Sequence, residues 1–318
     1  MQRFEEQMQF ACSPVSSALC ERMVTVCAEE AEPWLALLDM SMLNEKLLDR
    51  LVLRHSVQVH WVLKGRAFDS FGQHGPVLLS AMPDNSDFLR QLVSMCQLKP
   101  AFSLLSPRSD MASLVTVLQW LAWVETDDDD VPLYCRFADT RVTSSLLAVL
   151  KPHQREQLAS VINWWGWPDR LGQGWTCEKF DRNNGQISTP DRLLEFDAQQ
   201  FSQMLTMAEP DMVYQMLLEK MPDILPQQEG GLIHQRLVSM LAAAHAHGLD
   251  DLPDLFQFVV LGLSTYDDFH ASPVLAQGWR EHRKPNQRFT EWVNEWPDEL
   301  WAAIESESQA AFYGEANT

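Results

Sequence analysis

The sequence predicts an α+β protein, with an N-terminal α/β lobe built on a mixed sheet flanked by helices and an all-helical C-terminal lobe. Three observations predict it. Over the first half, short apolar runs bounded by polar residues alternate with segments whose apolar residues recur every three or four positions, the patterns of buried strands and of amphipathic helices. Residues 170–192, "RLGQGWTCEKFDRNNGQISTPDR", hold three glycines, a proline and polar residues without a period, which suits a linker. Beyond them only the helical spacing continues. A chain of 318 residues, 46% hydrophobic, can build one large domain or two lobes. The expected divisions are an α/β lobe over 1–171, a linker over 172–191 and a helical lobe over 192–318.

Taken in order, "WLALLD" (34–39) and "GPVLLSAM" (75–82) read as buried strands. "NEKLLDRLVLRH", "SDFLRQLVSMCQL" and "MASLVTVLQWLAWVE" read as amphipathic helices, the second capped by Asn85 or Ser86 and the third by Asp110. "AFSLLS" supplies a strand between the last two. The stretch "LYCRFADTRVTSSLLAVL" (133–150) alternates like a strand, from Val131 to about Ala138, and then takes helical spacing. In the second half "FSQMLTMAEPDMVYQMLLEKM", "GLIHQRLVSMLAAAHAHG", "LPDLFQFVVLGL" and "FTEWVNEWPDELWAAIE" all carry helical spacing, with Gly248 placed to end the second.

Composition narrows the function classes. With 24 Lys plus Arg against 44 Asp plus Glu, the formal charge is -20, and a phosphate backbone meets a repulsive field. The N-terminus carries acidic residues where an export signal needs positive ones, and no run reaches the roughly 20 apolar residues of a membrane span. A cytoplasmic protein is expected, with neither nucleic acid nor membrane as a partner. Six cysteines without disulfide or CxxC spacing are expected as reduced, mostly buried thiols.

The usual catalytic signatures are missing: there is no GxSxG elbow, Walker loop or HExxH, and "GQGWTC" has two of the glycines of a dinucleotide fingerprint and no clear helix after it. No cofactor and no metal are expected. His245 and His247 are two apart and diverge on a helix, while His234 and His245 stand about 16 Å apart along one. "YDDFH" (266–270) places Asp267, Asp268 and His270 together, as a divalent-metal site or acid/base pair would, or as a capped loop packing Phe269. The run 127–130 lacks the glycine and final glutamate of a calcium loop. "WREHRKPNQR" (279–288) is the concentrated basic segment, with Arg280, Arg283, Lys284 and Arg288, and Trp279, Trp292 and Trp296 lie in or near it. These residues are candidates for partner binding; core packing and a solvated loop are the alternatives.

"CRFADTRV" (135–142) resembles the "RFYDPRV" signature of the bacterial type VI secretion adaptor/chaperone family, a domain of unknown function commonly encoded beside VgrG spike proteins and toxic effectors. Further segments follow in the family's order. "WLALLDMS" is similar to its opening "YALLDGA" strand, "HGPVLLS" to its "GPYLV" strand, "SLVTVLQWLAWVE" to the helix before the signature and "LLAVLKPHQREQLASVINWW" to the helices after it. The likeness covers about 34–167. Ala138 and Thr140 replace a tyrosine and a proline of the family, and Met40 with Ser41 a glycine and alanine. The signature positions are Asp39, Gly75, Pro76, Arg136, Phe137, Asp139, Arg141 and Val142.

Read physically, Asp139 is the N-cap of a helix running to about Leu150, and Arg136 and Arg141 are placed to bond carboxylates or carbonyls of adjacent loops, a structural lock rather than a catalytic group. The resemblance implies a non-enzymatic adaptor that binds an effector, through that effector's N-terminal region, and loads it onto a VgrG or PAAR spike. Two other classes stay open: a hydrolase or metal-dependent enzyme using Asp267, Asp268 and His270, and an immunity protein.

Overall fold

The computed structural model describes residues 9–29, 33–64, 74–80, 86–127, 129–181, 192–281 and 287–315. Contacts divide the chain into two units, Cys12–Ala208 and Glu209–Thr318, the second also taking in the described residues 9–11. The expected α+β class holds.

The first unit runs α1 (Ser17–Glu29), β1 (Leu35–Asp39), a 3-10 turn (Met40–Met42), α2 (Glu45–His55), β2 (Gln58–Trp61), β3 (Pro76–Ser80), α3 (Ser86–Met95), β4 (Phe102–Pro107) and α4 (Met111–Leu121). It continues with β5 (Trp123–Thr126), β6 (Asp129–Tyr134), α5 (Thr140–Val149), α6 (Pro152–Val161), β7 (Ile162–Pro168), β8 (Trp175–Lys179) and β9 (Leu194–Phe196). Six strands form one sheet in the order β2-β3-β1-β4-β7-β8, antiparallel at every pairing. The mixed sheet is a smaller one, β6-β5-β9, in which β5 pairs antiparallel with β6 and parallel with β9.

The continuous apolar runs follow from a sheet covered on both faces. Along β1, Leu35 and Leu37 enter one core and Ala36 and Leu38 the other, as the two-residue period of a strand requires. The first core also takes Leu114, Leu118, Leu146 and Leu158 from α4, α5 and α6; the second takes Leu19, Leu48 and Phe88 from α1, α2 and α3. Asn44 caps α2 by accepting from the Lys46 amide, and Asp110 caps α4 by accepting from that of Ser113. Ser86 is the first residue of α3; Asn85 lies outside the described residues. Gly172 has φ +66, and a Cβ there would sit 2.1 Å from the Pro14 carbonyl, so glycine is what lets the Cys12–Ser16 strap hydrogen-bond Arg170 and Gly172.

Three segments read as helical or linking are strands, and each has a tertiary cause. The expected helix 111–125 stops at Leu121, because Trp123–Thr126, rich in β-formers, finds partners on both sides in β6 and β9. "INWWGWP" is β7, with Trp165 and Trp167 on one core and Trp164 on the other. In 172–191, Trp175–Lys179 forms β8 beside β7, 182–191 lie outside the described residues, and the contact division falls at Ala208/Glu209 rather than at a linker.

The second unit holds the end of α7 (Ala198–Lys220), then α8 (Gly230–Ala246), α9 (Leu252–Ser264), α10 (Pro273–Glu281), α11 (Phe289–Asn294) and α12 (Asp298–Glu315). The chain passes between units inside α7, close to Pro210, which cannot donate the helical hydrogen bond. Gly248, at φ +71, follows α8 as expected. The single helix expected over 289–305 is two, because Pro297 follows the turn at Glu295 and Trp296.

Candidate functional site

The signature residues lie in the first unit, where β1, β3, the start of β4 and the turn before α5 meet. β1 ends at Asp39, in register with Pro76 at the start of β3, and the Asp39 amide donates to the Ala101 carbonyl. After β6 the chain turns sharply: the Asp139 amide donates to the Arg136 carbonyl, and that of Thr140 to Pro100. The strand expected to reach Ala138 therefore stops at Tyr134, and residues 135–138 form the turn that brings Asp139 to the helix start.

Arg136 reaches back to β1. Its Nη2 lies 2.8 Å from Asp39 Oδ2 and 2.8 Å from Ser41 Oγ, and its Nε 3.2 Å from the same Asp39 oxygen. The second Asp39 oxygen accepts from the Ser41 amide at 3.0 Å and its hydroxyl at 2.7 Å. Asp139 caps α5 by accepting from the Arg141 amide at 3.1 Å, and the Arg141 guanidinium grips both of its oxygens, at 3.0 Å from Nε and 2.7 Å from Nη2. Arg136 Nη2 stands 3.8 Å from Asp139, which links the two pairs. Both carboxylates are buried, while the Arg136 side chain keeps 37% of its surface exposed. Two anions and two cations alternate here, each with short, directed partners.

The other signature residues supply packing. Gly75 and Phe137 are buried, Phe137 with its ring edge-on to Trp165 and its carbonyl accepting from Thr143 Oγ1 at 2.7 Å, and Val142 packs against the first core. Burial, with the Asp39 charge adding to it, pushes the Tyr134 hydroxyl up to about 12, and burial pushes the Cys135 thiol up to about 12. None of the six cysteines is in a disulfide; Cys12, Cys27, Cys96 and Cys135 are buried, Cys20 partly so, and Cys177 is exposed.

In the second unit the "YDDFH" residues diverge. Asp267 pairs with Arg236 at 2.5 Å, Tyr266 donates to Glu307 at 2.6 Å, and Asp268 is exposed, 4.0 Å from His270 Nε2. The other His270 nitrogen lies 3.2 Å from His247 Nε2, and the His247 ring stacks on Trp279. Among the described residues no group of three His, Cys, Asp or Glu side chains could hold a metal ion. His245 reaches Glu209 at 2.7 Å and Asp250 at 3.3 Å instead.

Two of the three tryptophan candidates for partner binding are core residues, and the third is partly buried. Trp292 and Trp296 are 5% and 7% exposed, and Trp279 packs against that core, stacked parallel to Phe289. Their helical spacing had a buried face to fill, and it fills it. Of the basic candidates, Arg288 is exposed at the start of α11, the Arg280 side chain is not described, and Arg283 and Lys284 lie outside the described residues.

Other polar residues important to these sites were not singled out in the sequence. Ser41 completes the coordination of Asp39 and Arg136. Asp254, buried in α9, accepts from the Phe289 and Thr290 amides at 2.7 and 3.0 Å and so caps α11. Arg108 binds Asn163 and the Phe180 carbonyl, and Gln154 with Gln200 ties α6 to β9 and α7. Apart from the Ser41–Asp39 contact, two residues apart, the partners named here are far along the chain, where a local motif does not reach.

Residues 34–157 match the model of a family described as a domain of unknown function (DUF4123), the stretch that contains Asp39, Pro76 and the whole of 135–142. No curated protein and no solved structure matches the chain. Among the described residues no helix is long and apolar enough to cross a membrane.

Proposed function

We propose that this chain is a cytoplasmic, non-catalytic adaptor that binds a type VI secretion effector, through the effector's N-terminal region, and loads it onto a VgrG or PAAR spike protein. The match of residues 34–157 to a family associated with type VI secretion carries the reading. The geometry of the signature supports it. The oxygens of Asp39 and Asp139 are committed to guanidinium, hydroxyl and amide donors, an arrangement that holds segments together and leaves no carboxylate poised to move a proton. The charge of -20 argues against nucleic acid or an anionic membrane as the partner.

The test is co-purification. The tagged full chain is expressed with the effector and spike genes that neighbour it, and recovery of the effector with its toxicity intact is the expected result. An effector recovered inactive would replace the adaptor by an immunity protein. Recovery of neither, with a hydrolytic or metal-dependent activity that disappears in Asp268→Ala or His270→Ala, would replace it by an enzyme.

A further inference from the structure

One exposed face of the first unit is built against the charge of the whole molecule. Along α2, Lys46, Arg50 and Arg54 recur every fourth residue and all are exposed, forming a cationic row about 12 Å long that runs obliquely to the helix axis. Leu53 and Leu47 border it, 81% and 43% exposed, and Leu53 is the most exposed large apolar side chain among the described residues. Glu45 and Asp49 lie beyond Leu53 on that flank. Lys46 and Arg50 make no ion pair among the described residues, whereas Arg90, Arg136, Arg141, Lys151, Arg155 and Arg236 all do.

The stripe stands on a fixed platform. Leu48 and Leu51, on the opposite side of α2, are in the second core, Asn44 caps the first turn, and Ser56 ends the helix in the left-handed conformation at φ 52. A cation row and two leucines held this way cost no ordering of the backbone when a partner docks.

We infer that the outer face of α2 is a docking surface for an acidic amphipathic helix of a partner protein, with carboxylates at i, i+4 and i+8 set against Lys46, Arg50 and Arg54 and apolar side chains against Leu53 and Leu47. An oblique row of every-fourth residues on one helix is matched by the same spacing on another helix that crosses it. A bilayer is the poorer occupant: a helix lying on a membrane inserts its apolar face, and here that face is already in the protein core. The surface is independent of the adaptor reading, and the two fail separately.

The test uses the full chain and a labelled 18-residue peptide of glutamates and leucines at helical spacing, with binding read by fluorescence anisotropy. Saturable binding that weakens as salt rises is expected, and Lys46→Glu with Arg50→Glu should weaken it about tenfold or more. Leu53→Ser should weaken it less, and a peptide with glutamine for glutamate should not bind. All three positions are exposed, so the variants should keep the wild-type melting curve; if the charge reversal does not, Lys46→Gln with Arg50→Gln takes its place. No binding, equal affinity in the variants, or equal binding of a lysine-leucine peptide would overturn the inference. Variant-sensitive binding to phosphatidylserine vesicles without peptide binding would overturn it in favour of a lipid surface.

Discussion

Arg136 Nη2 lies 2.8 Å from Asp39 Oδ2 across 97 residues of sequence. The aspartate ends the strand that opens the family match, and the arginine opens the signature turn, so this contact joins the two most recognisable segments of the chain. Register adds a third, because Asp39 faces Pro76 across the β1-β3 pair. The signature is thus a three-dimensional junction in which β1 and the turn into α5 share one set of polar contacts and β3 lies in register beside them.

That junction should be energetically coupled. Removing the guanidinium with Arg136→Ala leaves the buried Asp39 carboxylate with Ser41 alone, and should cost about 2 kcal/mol after allowing for the partial exposure of the arginine. Asp39→Ala should cost a similar amount, and the double variant about 1 kcal/mol less than the sum. Urea unfolding of the four proteins measures this; full additivity would mean that the pair is incidental.

Asp139 does two jobs that substitution can separate. Asp139→Ala removes both the α5 cap and the Arg141 pair and should cost about 2 kcal/mol. Asp139→Asn keeps an acceptor for the Arg141 amide and loses the charge, so it should cost about half as much. Thermal melts of both variants decide it: equal losses would put nearly all of the energy in the ion pair.

The parts of this organisation that were legible in the sequence are those set by neighbours along the chain. The Asp139 cap depends on two residues of spacing, and β1, β3 and β4 announce themselves as apolar runs because both faces of their sheet are covered. The rest is set by distant partners. Trp123–Thr126 is a strand because β6 and β9 lie beside it, and "INWW" is one because β4 and β8 do, although each segment follows a helix whose spacing it can prolong. The tryptophans of the second unit could be read as anchors or as core; their burial around Phe258 and Phe289 is a property of the packed helices. The pairing of Arg136 with Asp39 was hidden for the same reason, while the residue types were not.

Asp254 should behave as the hinge pin of the α9-α11 contact. Its carboxylate takes the first two amides of α11, which have no acceptor within the helix itself. Asp254→Ala should cost about 2 kcal/mol and speed hydrogen exchange at the Phe289 and Thr290 amides, while amides of β1 and β4 keep their protection. Unchanged exchange at those two amides would show that the cap is dispensable.

Two histidines of the second unit should give stability opposite dependences on pH. Burial holds His270 below its usual pKa, against the nearby Asp268 charge, so the unfolded chain takes up its proton first as pH falls. Its contribution is complete above about pH 6.5 and is lost as pH drops through that value toward the folded pKa. The 3.2 Å contact with His247 reinforces this, since one ring must donate and the other accept, and two cationic rings at that distance repel. For His245 burial also opposes the charge, but the hydrogen bonds it donates to Glu209 and Asp250 outweigh it and raise the pKa, so its contribution is full below about pH 6.5 and fades as pH rises through the raised value. Urea unfolding followed by tryptophan emission between pH 5 and 8 separates the two, because Trp279 stacks on His247 in the same cluster. His270→Asn should flatten the loss of stability on the acid side, and His245→Asn should leave the acid loss steeper. If His270→Asn reproduces the wild-type pH profile, His270 does not contribute to the pH dependence of stability.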